Sequence, residues 1–163
     1  MGVKRAVNIA LETAKEEGKE IYTLGPLIHN PQTVEMLERK NVRVVEDIRG
    51  LSSGTVIIRA HGVGPEEREK IDKSPLECRD ATCPLVLRIR NIIRKCAKEG
   101  YAVEQRGILH PAEGPALLGY AGGRGIVVEG VEDVGDVPAG KVCVVAQSTQ
   151  ERRLFESVVK ELR

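Results

Sequence analysis

An internal repeat constrains the fold of this chain more than any other feature of its sequence. The helical pattern ending in AKEEG at 14–18 returns as one ending in AKEG at 97–100, and the apolar run at 56–60 returns at 142–146. Loop segments repeat as well, because LIHNP at 27–31 matches ILHP at 108–111. Self-similarity of this kind indicates that one supersecondary unit is used twice. We therefore predict two homologous units, residues 1–79 and 80–163, with no linker between them.

Helix and strand patterns alternate within each unit. Residues 3–17 place Val3, Val7 and Leu11 on one face of a helix and charged residues on the other. Strands are predicted at 20–24, 42–45 and 55–60 and helices at 31–40 and 65–73, with the same order in the second unit. This alternation favours an α/β fold with two small parallel sheets. The continuously apolar runs 56–60 and 142–146 are expected to be interior strands.

Composition excludes several functional classes. The chain has 25 basic and 24 acidic residues and only 2% aromatic residues, so it offers neither the charge nor the stacking surfaces of a nucleic-acid-binding protein. No apolar run reaches the ~18 residues of a membrane span, and the N-terminus has no signal-peptide core, which favours a cytoplasmic protein. Four cysteines in such a chain indicate reduced thiols or a metal site before disulfides.

All three histidines of the chain, His29, His61 and His110, follow predicted strands. Ligands of open α/β sheets bind outside the carboxyl ends of the strands, where imidazoles, hydroxyls and helix N-termini can donate to phosphate oxygens. A single histidine is more often a structural residue, but three at such loop positions predict an anion-binding site. The loop after the last predicted strand adds further polar residues to this site: Gln147, Ser148 and Thr149.

Cys83 is the cysteine whose position suggests chemistry. It lies between a predicted strand and Pro84, in the first turn of a helix, where the helix dipole favours a thiolate. Cys96 and Cys143 fall on apolar faces and are expected in the core. Cys78 precedes Cys83 at a spacing that matches no strong zinc pattern, so a zinc site is the lesser alternative there.

Several motifs together resemble the 4-hydroxy-3-methylbut-2-enyl diphosphate reductase family, which acts last in the non-mevalonate isoprenoid route. They are GVKRAV at 2–7, LGPLIHNP at 24–31, RAHGV at 59–63, DATCP at 80–84, HP at 110–111 and QST at 147–149, and they span the chain in the family's order. The resemblance implies three α/β units around a pseudo-threefold centre. Each unit would contribute one cysteine to a four-iron four-sulfur (4Fe-4S) cluster.

The resemblance also implies roles for single residues. Cys83 would be the second cluster ligand, and the fourth iron would meet the substrate hydroxyl. Ferredoxin or flavodoxin would supply electrons, and loss of water would give isopentenyl and dimethylallyl diphosphate. The substrate diphosphate would be held by His29, His61, His110, Ser148 and Thr149.

The chain departs from the family pattern in four respects. The first cluster cysteine would precede Gly2, and the third would belong to a third unit that these residues do not include. The catalytic acid directly after His-Pro is replaced by Ala112, with Glu113 one residue later as the remaining candidate acid. The strand before it carries three polar residues at 104–106, where a buried sheet is expected to be apolar. We expect a truncated or redesigned protein, or a decayed paralogue, without full activity.

Three functions remain open at this level. The first is a reductase that a partner chain or a homo-oligomer completes, since loss of a unit should expose apolar surface that a second copy could cover. The second is a cluster-free module that binds diphosphate or phosphate weakly. The third is a purely structural scaffold.

Overall fold

The computed structural model describes residues 2–16, 18–106, 113–128, 140–146 and 151–162. It divides the chain into two units, Met1–Pro84 and Leu85–Arg163. The boundary therefore lies between Pro84 and Leu85, whereas the repeat predicted it between Arg79 and Asp80. The difference arises because residues 77–80 form a strand of the first sheet, and the Ala81 and Cys83 N–H groups after it donate to the Ile58 and Ala60 carbonyls.

The first unit is a four-stranded parallel sheet with three helices. The helices are α1 (Gly2–Thr13), α2 (Pro31–Glu38) and α3 (Pro65–Asp72). The strands are β1 (Ile21–Leu24), β2 (Val42–Val45), β3 (Thr55–Ile58) and β4 (Glu77–Asp80), in the order β2-β1-β3-β4. Asn30 and Pro31 begin α2, because the Asn30 side chain accepts a hydrogen bond from the Thr33 N–H and proline suits the first helical position.

Both faces of the first sheet are covered. Ile57 packs on one face with Ala6 and Ala10 of α1, while Val56 and Ile58 pack on the other face with Ile71 of α3. These three strand residues are at most 1% exposed. Coverage on both faces explains why β3 reads as a continuous apolar run instead of an alternating one. As predicted, β3 is an interior strand, although it ends at Ile58 because a turn closes after it.

The second unit repeats this plan. Its helices are α4 (Pro84–Lys98), α5 (Glu113–Leu118) and α6 (Arg152–Glu161), and a single 3₁₀ turn (Gly119–Ala121) follows α5. Its strands are β5 (Ala102–Arg106), β6 (Gly125–Val128) and β7 (Val142–Ala146), all parallel in the order β6-β5-β7. Ile93 of α4, Val103 of β5 and Val145 of β7 form its core with Leu117 and Ala121. The order β6-β5-β7 corresponds to β2-β1-β3, which confirms the repeat.

The two sheets differ at one edge. In the first sheet β4 pairs with the outer side of β3, but among the described residues no strand pairs with the outer side of β7. β7 is therefore an edge strand there, and its prediction as an interior strand is wrong. Its apolar character comes from packing of Val145 and Cys143 against the core of the second unit. β5 occupies the centre of its sheet despite the polar residues at 104–106.

Within the described ranges, no helix has the length and apolarity needed to cross a membrane.

Candidate functional site

Three loops run side by side at the carboxyl end of the first sheet. The Ala60 N–H donates to the Leu27 carbonyl at 3.2 Å, and the Cys83 N–H donates to the Ala60 carbonyl at 2.8 Å. These two bonds join the loops after β1, β3 and β4 in the order in which the strands lie in the sheet. Because all parallel strands end at the same edge, the loops that carry His29, His61 and Cys83 meet there.

His29 and His61 stack on each other in this loop cluster. Their ring centroids lie 4.6 Å apart and their planes are inclined by 29°. His29 is exposed and His61 is half-buried, so the pair faces solvent from a partly fixed position. Two adjacent imidazoles can offer N–H donors to an anion with several oxygens. The structure thus brings together the two predicted histidines that it describes.

Arg59 fixes the turn that carries His61. Its Nε donates to the Gly62 carbonyl at 3.2 Å, and the Gly62 N–H donates to the Arg59 carbonyl at 3.0 Å. The guanidinium also lies against Gly25, because a Cβ placed on Gly25 would be 2.6 Å from Nη1 of Arg59. Gly25 has φ +70°, a conformation that glycine adopts without cost. Sequence analysis missed Arg59 as a site residue, and its signal was a charged residue directly after an apolar strand.

Cys83 lies against the start of α1. A Cβ placed on Gly2 would be 2.7 Å from the Cys83 Sγ, so only glycine allows this approach of helix and thiol. The first N–H groups of a helix have no intrahelical partner and carry partial positive charge. The half-buried Cys83 thiol therefore lies beside one helix N-terminus, that of α1, and directly before another, that of α4.

Arginines from two helices hold the segment before Cys83. The two terminal nitrogens of Arg5 donate to the carbonyls of Thr82 at 3.0 Å and Asp80 at 3.3 Å. The Asp80 carboxylate accepts from the Thr82 N–H at 2.9 Å and pairs with Arg68 of α3 at 3.4 Å. These contacts link α1, α3 and the loop after β4, so the position of Cys83 depends on the packing of the whole first unit.

The other cysteines lie apart from this loop cluster. Cys78 is on β4, the edge strand of the first sheet, and desolvation of its thiol raises its pKa even though the residue as a whole is exposed. Cys96 and Cys143 pack against the core of the second unit, as predicted. Burial and a hydrogen bond with Cys96 raise the pKa of Cys143 to about 12. Across the described ranges, no group of three or more His, Cys, Asp or Glu residues could hold a metal ion.

Several predicted site residues lie outside the described residues. These are His110, Gln147, Ser148 and Thr149, together with Ala112 at the position of the family's catalytic acid. Glu113, the candidate acid, is the first residue of α5. The described part of the candidate site therefore consists of the histidine pair, Arg59 and Cys83, all in the first unit.

Comparison with known proteins identifies the family. The model of the LytB protein family matches residues 1–163, which is the whole chain. The chain belongs to the LytB protein family. This confirms the resemblance drawn from the motifs.

Individual LytB relatives are similar over nearly all of this chain. The 4-hydroxy-3-methylbut-2-enyl diphosphate reductases of Geobacter sulfurreducens and Aquifex aeolicus are 43% and 42% identical to it, over 98% and 99% of its length. Both alignments cover 57% of the relative, so the chain spans little more than half of these LytB proteins.

Two solved structures share the fold. One is described as (E)-4-hydroxy-3-methyl-but-2-enyl diphosphate reductase, the terminal enzyme of the non-mevalonate pathway, and it matches with a TM-score of 0.86 at 42% identity. The other is the E-1-hydroxy-2-methyl-but-2-enyl-4-diphosphate reductase of Plasmodium falciparum, with a TM-score of 0.88 at 30% identity. Each match covers 99% of this chain, and 59% and 52% of the respective structure.

Proposed function

We propose that this LytB chain binds the diphosphate group of 4-hydroxy-3-methylbut-2-enyl diphosphate and supplies two of the units of a reductase for that substrate. The observation that carries the proposal is the stacked pair His29 and His61 beside Cys83, at the carboxyl end of a parallel sheet. Family membership supplies the identity of the substrate, since the relatives that match are named as reductases of this diphosphate.

The loop cluster is suited to a diphosphate for three reasons. Its imidazoles can provide N–H donors, and the N-terminus of α1, which lies against Cys83, carries partial positive charge. The Arg59 guanidinium adds a permanent cation on the loop of His61. The backbone bonds between the loops hold these groups in place before a ligand arrives, which lowers the entropic cost of binding.

The reduction itself requires more than the described residues provide. The family resemblance implies a 4Fe-4S cluster with three thiolate ligands. Cys83 offers one thiol, whereas Cys78 lies on an exposed sheet edge and Cys96 and Cys143 pack in the other unit. The described residues therefore do not form the ligand set of that cluster, and the part of the function that they support is diphosphate binding.

Other parts of the proposal rest on the family resemblance alone. Ferredoxin or flavodoxin would be the electron donor, Glu113 the acid, and a cytoplasmic location would suit these partners. A partner chain or a homo-oligomer would complete the ligand set. The remaining substrate contacts would come from His110, Gln147, Ser148 and Thr149.

The second candidate function is a cluster-free diphosphate-binding module. It is favoured by the contrast between the paired histidines of the loop cluster and the single cysteine, Cys83, that lies there among the described residues. The two candidates make different predictions for the purified protein. A module stays colourless after anaerobic incubation with iron and sulfide, whereas a cluster-binding protein turns brown and retains both elements in a fixed ratio.

Calorimetric titration with inorganic diphosphate tests the binding site. We expect His61→Ala and His29→Ala each to weaken binding by about 1–3 kcal/mol, the usual loss for a hydrogen bond to a charged group. Lys40→Ala is the control, because it removes an exposed cation from the same unit without touching the loop cluster. Equal affinities of all three variants and the parent chain would show that the diphosphate binds elsewhere.

A further inference from the structure

The second unit contains a cavity at the amino ends of its strands. The cavity measures about 500 Å³, and Ala102 at the start of β5, Ile126 of β6 and Lys141 directly before β7 line it. The loops that carry His110 and Ser148 follow the other ends of β5 and β7 in the chain. A ligand in this cavity would therefore contact the amino ends of β5 and β7, and not the ends from which the chain continues to His110 and Ser148.

The charge around this cavity is entirely positive among the described residues that line it. Arg124 and Lys141 line the first cavity, and a neighbouring cavity of about 320 Å³ shares Arg124 and adds Arg94 and Lys98. No carboxylate is among these lining residues. Because the chain as a whole has 25 basic and 24 acidic residues, four cations without an acid are a local excess. An excess of this kind attracts anions.

A structural role accounts for only part of this cluster. One terminal nitrogen of Arg124 donates to the Ala97 carbonyl at 3.3 Å, and Lys98 lies in the last turn of α4, so both stabilise the negative end of that helix. Lys141 has no such role. Its Nζ lies 5.6 Å from the centre of the Tyr101 ring, a cation–π contact that positions the ammonium group beside the cavity.

Backbone groups are accessible in the same cavity. Gly100, Gly123 and Gly140 line it, and a Cβ placed on Gly123 or Gly140 would meet no atom within 4 Å. An anion can therefore approach the main chain there without displacing side chains. The Gly100 N–H donates to the Ala97 carbonyl, so the main chain open to an anion is that of Gly123 and Gly140. Cations beside accessible main chain suit phosphate oxygens.

We propose that the second unit binds a small phosphorylated metabolite in these two cavities, with Lys141 and Arg124 as the main contacts. The larger cavity falls within the 300–1,000 Å³ typical of small-molecule sites. Arg124 lies between the two cavities, so a ligand with two linked phosphoryl groups contacts more of the four cations than a monophosphate does. Inorganic diphosphate is the simplest probe of this ligand class.

The test is an NMR titration of the 163-residue chain with inorganic diphosphate and, separately, inorganic phosphate. We expect the amide signals of Gly100, Gly123 and Gly140 to shift in a saturable manner, with tighter binding of diphosphate. Lys141→Gln should weaken this binding about tenfold, the effect of losing one charge-assisted hydrogen bond. His61→Ala should leave the glycine shifts unchanged, which separates this site from the candidate diphosphate site.

Lys95→Gln is the matched control. Like Lys141→Gln it removes one lysine charge from the second unit, but Lys95 lies in the last turn of α4, pairs with Glu99 at 3.9 Å and lines neither cavity. Lys141→Gln is the deciding variant because, unlike Arg124, Lys141 makes no helix-capping contact whose loss would disturb folding. Absence of glycine shifts, or equal weakening by Lys141→Gln and Lys95→Gln, would overturn the proposal and leave only a general attraction of anions.

Discussion

Replacing Gly25 by alanine should both destabilise the first unit and disturb the loops of the candidate diphosphate site. The backbone φ of +70° costs a non-glycine residue about 1–2 kcal/mol. The new Cβ would also lie 2.6 Å from Nη1 of Arg59, so the guanidinium must move and its bond to the Gly62 carbonyl is lost. That bond contributes about 0.5–1.5 kcal/mol. The expected total is therefore about 1.5–3.5 kcal/mol.

Gly50→Ala is a control that separates these two effects. Gly50 has φ +84°, and a Cβ placed on it would meet no atom within 4 Å, so this variant should show the backbone cost alone. Urea unfolding followed by circular dichroism gives the two stabilities, and diphosphate titration gives the two affinities. We expect only Gly25→Ala to weaken diphosphate binding, because only Gly25 contacts the arginine that holds the turn of His61.

A double-mutant cycle isolates the contact between Gly25 and Arg59. In an Arg59→Ala background the obstructing guanidinium is absent, so Gly25→Ala should cost no more than Gly50→Ala does in the parent chain. The reasoning is refuted if Gly25→Ala and Gly50→Ala destabilise equally in the parent chain, or if the cost at Gly25 is the same with and without Arg59.

Three further predictions concern the core, the thiols and the reaction. Ile57→Ala should lower the free energy of unfolding of the first unit by about 2–5 kcal/mol in urea, because Ile57 is fully buried. A change as small as that of a substitution at an exposed position would contradict this packing. The pKa of Cys143 is raised to about 12, so the unfolded thiol ionises first and the stability of the second unit should fall as the pH rises from about 9 toward 12. Cys143→Ala should reduce this pH dependence in urea unfolding, and an unchanged dependence would assign it to other groups. Finally, we compare two proteins reconstituted anaerobically with iron, sulfide and an electron donor: this chain, and a version with an N-terminal cysteine extension, a third unit and Ala112→Glu. This chain should turn over substrate far more slowly, since a general acid alone contributes ~10²–10⁴-fold to the rate. Comparable rates would refute the expectation of an incomplete enzyme.

Much of the fold could be read from local patterns in the sequence. The repeat, the alternation of helices and strands, and the two parallel sheets all follow from residue periodicity, because a strand covered on both faces must be apolar throughout. The limits of this reasoning appear at β7. Its apolar run resembles that of β3, yet β7 lies at an edge among the described residues, because pairing depends on whether another segment reaches it.

The position of the candidate site was also determined by sequence. His29 and His61 follow parallel strands, whose carboxyl ends necessarily share one edge of the sheet. Cys83 joins them because β4 pairs next to β3, which places its following loop against Ala60. The identity of the family was likewise evident from short motifs at these same loop ends.

Only the tertiary structure decided the contacts between residues far apart in the chain. The approach of Gly2 to Cys83, the position of Arg59 over Gly25, and the meeting of Arg94, Arg124 and Lys141 around two cavities have no local signature. The physical reason is that each depends on how separate helices and strands pack, which sets distances that periodicity does not encode. Sequence therefore determined the elements and the edge of the sheet where the candidate site lies, and packing determined which side chains meet there.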